Sequence, residues 1–223
     1  MDKFVDFLKW PAALFVLCFM PAVVKSFSYF DFFSLKNAAF LGGFLLFVAF
    51  SATLDKQVKS SLQTFSHELT HAFFAILTFH EVTSIKLHDE GGGAMSFKGK
   101  GNWLILVAPY FFPLFLFAVI VVLSFYNNFD SENFLTKGYY PLFVSFSLGV
   151  LTGAHFDMIG SQVHDKQTDL HKLGLPFSLL FIIPSNAMVM GFLFAFNSKG
   201  LNGLVMYFDL IVKITKSYIA YFL

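Results

Sequence analysis

Residues 65–72 read FSHELTHA, two histidines four apart with a glutamate directly after the first. The surrounding run, Leu62 to Phe79, is apolar, free of glycine and too long for a typical strand, so it predicts a helix. On an α-helix, residues four apart stand about 40° apart around the axis, so His67 and His71 point the same way. Glu68 projects about 100° round from His67, into the space beside the point where the two imidazoles converge. That is the mechanical logic of H-E-x-x-H: two neutral imidazoles bind a zinc ion (Zn2+), and the carboxylate reaches a water beside it without taking a coordination position. With seven histidines in 223 residues, chance gives about 0.004 such patterns, so the motif weighs heavily.

The motif sits in a chain with little polar surface to offer water. Of its 223 residues, 57% are hydrophobic, 34 are phenylalanine and only 13% are charged, against about 25% charged in soluble domains. An integral membrane protein is the class this composition favours. Ionisable groups inside membrane segments are rare unless they function, which raises the weight of His67, Glu68 and His71. The net charge is +1, so nothing electrostatic favours a nucleic-acid partner. The basic residues are all lysine, which disfavours a bidentate phosphate or carboxylate clamp. The lone cysteine, Cys18, cannot form an intramolecular disulfide.

Seven apolar runs lie along the chain: Trp10–Val24, Ala38–Leu54, Leu62–Phe79, Trp103–Tyr126, Pro141 to about Gly160, Phe177–Phe196 and Leu204–Leu223. The first follows Lys3 and Lys9 but lacks a small-x-small cleavage site, so it reads as a retained membrane helix. Between the third and fourth runs, EVTSIKLH alternates apolar and polar residues, DEGGG supplies a turn and AMSFKG reads as a return strand. The expected fold is an all-α polytopic membrane protein, one domain over residues 1–223, with six to seven transmembrane helices and a short β-hairpin after the HExxH helix. The expected location is a bacterial cytoplasmic membrane. Loop lysines divide almost evenly between the two sides and leave the orientation open.

The string HELTHAFFAILTFHEVTSIKLHDEGGGAMSF, residues 67–97, resembles the active-site region of site-2-protease-type intramembrane metalloproteases. The resemblance extends over about residues 60–115. It implies a metal-binding helix within the membrane, zinc ligation by His67 and His71, and general-base chemistry by Glu68. It also implies that a glycine-containing strand holds substrate, here through Gly91, Gly92 and Gly93. Asn186, after Pro184 on a later helix, is a further candidate for contact with substrate or water, and equally for a bond to a neighbouring helix.

Zinc needs a third protein ligand and an open position for water. Family members take an aspartate from a later membrane helix in an Asn-Pro-…-Asp-Gly context, and that string does not occur here. The candidates lie in GAHFDMIGSQVHDKQTDLHKLG, residues 153–174: His155, Asp157, His164, Asp165, Asp169 and His171. Asp157 is favoured, because its run should lie parallel to the HExxH helix at a depth offset of about 9 Å, which a kink at Gly149 or Gly153 would absorb. Asp169 requires QTDLHKLGLP to fold back towards the membrane. His155 stays open as a third alternative.

The expected function is that of a membrane-embedded zinc metallopeptidase acting on membrane-associated protein or peptide substrates, with the lipid bilayer as its surroundings. The competing reading is a non-enzymatic membrane metal carrier or degenerate scaffold, with ionisable groups spread over several depths. Oligomeric state is open.

Overall fold

Every apolar run falls in helices in the computed structural model, which describes residues 2–87, 92–129, 140–163 and 167–222. In chain order these helices are α1 (Asp2–Phe7), α2 (Lys9–Ser26), α3 (Leu35–Ser51), α4 (Lys56–Leu77), α5 (Trp103–Val107), α6 (Leu114–Phe129), α7 (Tyr140–Gln162), α8 (Thr168–Leu173) and α9 (Leu175–Phe222). Strands β1 (Val82–Leu87) and β2 (Gly93–Phe97) follow α4 and pair antiparallel, Leu87 opposite Gly93 and Ile85 opposite Met95. The predicted hairpin is therefore present, with a bulge between Val82 and Ser84.

The expected span count needs correcting. Three helices, α2, α7 and α9, are long and apolar enough to cross a membrane, and a fourth span arises if α5 and α6 count as one bent element. The other runs fall short for identifiable reasons. α3 has 17 residues, about 25 Å at 1.5 Å per residue, against a hydrocarbon core near 30 Å. α4 begins with KQVKSSLQ and is amphipathic rather than apolar throughout. The sixth and seventh runs join in α9, which breaks at Lys199 and Gly200, the latter at φ +59°. The arms of α9 then fold back on each other: a side chain at Gly203 would strike the Ala195 carbonyl, and one at Gly191 the Tyr207 hydroxyl.

α2 packs along α9 through Ala22, Val23, Tyr207, Ile211 and Ile214. α3 packs along α7 at backbone contact. A side chain at Gly43 would meet the Phe146 carbonyl, and one at Gly149 the Phe40 carbonyl. Gly149 and Gly153 are thus committed to close helix packing, and α7 runs unbroken past both. Cys18 is exposed on α2, outside the core.

α5 ends in a 3-10 turn, Ala108–Tyr110, and the chain bends by 81° before α6. Pro109 and Pro113 flank the bend, each removing a helical N–H donor. This bend tucks α5 and its turn against α4, where Ala75, Ile105 and Ala108 share a buried cluster with Phe74.

Candidate metal centre

α4 starts cleanly because the Asp55 side chain accepts hydrogen bonds from the Gln57 and Val58 amides. About three turns later its inner face carries His67, Glu68, Thr70 and His71, all buried. The two imidazoles converge as the spacing requires, Nε2 to Nε2 at 3.1 Å with their rings nearly perpendicular.

The third member is Asp169. Its Oδ2 lies 3.1 Å from His71 Nε2 and 3.6 Å from His67 Nε2. Among the described residues, His67, His71 and Asp169 are the group able to hold a metal ion. Tetrahedral zinc with ligands at about 2.0–2.2 Å separates them by about 3.3–3.6 Å, close to the spacing found. The chemistry of the donors also fits. His71 Nδ1 lies 2.7 Å from the Ile105 carbonyl oxygen, and a carbonyl only accepts, so Nδ1 carries the hydrogen and Nε2 keeps its lone pair. Lone pairs and a carboxylate oxygen aimed at one point repel unless a proton or a cation lies between them.

α8 delivers this carboxylate. Leu170 and Leu173 bury into a cluster with Trp103, Val107, Tyr110 and Phe177, which pins the short helix beneath α5. Gly174, at φ +85°, closes α8 by bonding back to the Leu170 and His171 carbonyls and releases the chain into α9. The usable sequence signal was LHKLGLP: leucines three apart followed by a glycine stop and a proline.

Asp157 does not join the group, which reverses the order of preference derived from the sequence. Its Oδ1 accepts from Lys59 Nζ at 2.9 Å and its Oδ2 from Gln63 Nε2 at 2.7 Å. Lys59 and Gln63 lie on the His67 face of α4, eight and four residues earlier, or about 12 and 6 Å along the axis. The offset between Asp157 and the imidazoles is therefore real, and the kink needed to cancel it is absent because Gly149 and Gly153 pack on α3. Replacing Asp157 with asparagine should leave metal content unchanged while lowering stability by about 1–3 kcal/mol, as expected for lost bonds to a charged group. Thermal unfolding in detergent beside metal analysis checks both.

His155 is buried on α7 with its Nε2 unpartnered among the described residues, outside the metal group. His164 and Asp165 lie outside the described residues, as does Gly91. Gly92 adopts φ +94° with open space around it. Gly93 sits against the motif: an added Cβ would lie 2.9 Å from Glu68 Cγ and 2.7 Å from Thr64 Cγ2. Glycine there lets β2 cross α4 at the glutamate. Asn186 Nδ2 donates to the Tyr110 and Ile182 carbonyls at 2.8 and 2.9 Å, the first a bond between helices of the kind weighed for it.

Two features went unread in the sequence. One is the Ile105 carbonyl that orients His71. The other is Tyr110, fully buried, whose ring stands edge-on to His67 with centroids 5.3 Å apart. Neither carries a local signature, because both depend on the bend between α5 and α6.

Residues 41–150 match the protein family described as Peptidase M50B-like. No curated protein and no solved structure matches the chain.

Proposed function

We propose that this chain, whose residues 41–150 match the Peptidase M50B-like family, is a membrane-embedded zinc metallopeptidase that hydrolyses peptide bonds in membrane-associated protein substrates. The observation that carries the reading is the convergence of His67 Nε2, His71 Nε2 and Asp169 Oδ2 with Glu68 beside them. Bound by those three atoms, zinc would supply Lewis-acid polarisation and a lowered water pKa.

The chain's own residues do the rest. Ile105 fixes the His71 tautomer, so Nε2 is available without a proton being lost. Glu68, one residue beyond His67, accepts a proton from the attacking water and returns it to the leaving amine nitrogen. A transmembrane substrate must unwind before its amide is open to attack, and extended peptide binds readily by strand addition. β2 is suited to that role, since Gly93 brings the hairpin against Glu68 without an intervening side chain. The candidate spans α2, α7 and α9 would hold the site in the bilayer.

Metal removal tests this reading. Purified protein treated with a chelator should lose cleavage of quenched-fluorescent peptides of apolar transmembrane sequence and regain it with stoichiometric zinc. Cleavage that persists after complete metal removal would contradict the proposal.

A further inference from the structure

Tyr110 carries a hydroxyl with no hydrogen-bond partner among the described residues. The residue is 0% exposed. An unpaired buried donor costs about 1–3 kcal/mol, so such a group needs an explanation. Gln167 acts on the hydroxyl but stands outside hydrogen-bond geometry. Its ring packs against His67, one member of the metal group.

Its placement is held from three sides. The ring rests edge-on against His67. The main-chain carbonyl accepts from Asn186 Nδ2. The 3-10 turn continues from α5, whose Ile105 carbonyl orients His71. One short segment, Ile105 to Tyr110, therefore sets a ligand imidazole and brings a free donor beside the site.

We propose that the Tyr110 hydroxyl donates a hydrogen bond to the carbonyl oxygen of the substrate amide as negative charge develops there. The inference rests on the protease reading. As the water oxygen bonds to the carbonyl carbon, the π electrons move onto the carbonyl oxygen. Tyr110 meets that charge with its O–H and keeps its proton, while Glu68 handles the proton of the water. A donor already in place and dry reorganises little as the charge forms, which is where such donors are most effective. Tyr110 would be a catalytic residue in the strict sense, touching the reacting atoms.

The test uses full-length protein and Tyr110→Phe, which keeps the ring against His67. Two probes are needed: quenched-fluorescent apolar peptides for turnover, and a phosphinic peptide whose tetrahedral phosphorus mimics the attacked carbon. Tyr110→Phe should lose roughly 100- to 1,000-fold in kcat, with KM and bound zinc unchanged. Its affinity for the phosphinic peptide should fall, while that for the same sequence as an uncleaved amide in the Glu68→Gln background stays constant. A variant that turns over and binds the phosphinic peptide like wild type overturns the assignment and leaves the protease reading standing. A variant that loses zinc also overturns it, because Tyr110 would then be structural. Zinc-loaded wild type that neither cleaves nor binds the phosphinic peptide overturns the protease reading and this assignment together.

Discussion

Glu68→Gln should abolish measurable peptide cleavage while the protein keeps its zinc. The substitution preserves shape and hydrogen-bonding reach but removes the basic oxygen. Glu68 lies on the buried face of α4 and is not one of the three atoms that converge on the metal position. Removing its charge therefore leaves the ligands in place. A positioned general base contributes roughly 100- to 10,000-fold, so turnover should fall by that factor in kcat with little change in KM. The same variant separates the protease from a metal carrier. Movement of metal across a vesicle membrane that survives in Glu68→Gln, with no cleavage to lose in the wild type, would favour the carrier.

Asp169→Ala should release the metal. The carboxylate is the sole anionic member of the group, reached by His71 Nε2 at 3.1 Å and His67 Nε2 at 3.6 Å. Changing a residue that merely supports a ligand typically costs 10- to 100-fold in metal affinity, and losing a ligand itself should weaken zinc by more than about 100-fold. The folded state should survive, since Leu170 and Leu173 rather than Asp169 anchor α8. Competition with a chromophoric zinc chelator reads the affinity directly. Asp157→Asn in the same titration should behave as wild type, because Lys59 and Gln63 rather than a metal engage that carboxylate.

These two variants also mark the limit of what could be read from the chain alone. The imidazole pair was legible because i, i+4 spacing on one helix is a local property that needs no knowledge of the fold. The hairpin was legible for the same reason, from alternation over residues 82–87 and a glycine-rich turn. The place of Asp169 beside the imidazoles was not, because it depends on how far α7 is offset from α4 and whether the residues after α7 return. The offset of Asp157 follows from residue counts along α4 and α7, but the two glycines of α7 are not a hinge. The fold spends them on contact between α7 and α3, where no side chain fits. Apolar runs outnumber spans because a run becomes a span only with enough length and apolar character in one helix. α3 is too short, α4 is amphipathic, and the last two runs join in α9. The ion pair of Lys213 with Asp209, at 2.6 Å, shows why the final arm tolerates charges: they face outward and pair along one side.

The most direct measurement is an anomalous difference map collected at the zinc absorption edge from crystals of the wild-type protein. The expected result is one strong peak about 2.0–2.2 Å from His67 Nε2, His71 Nε2 and an Asp169 oxygen, with Glu68 beside it and outside the coordination shell. A peak coordinated by Asp157 or His155 in place of Asp169, or zinc-loaded protein with no peak between the two imidazoles, would contradict the account.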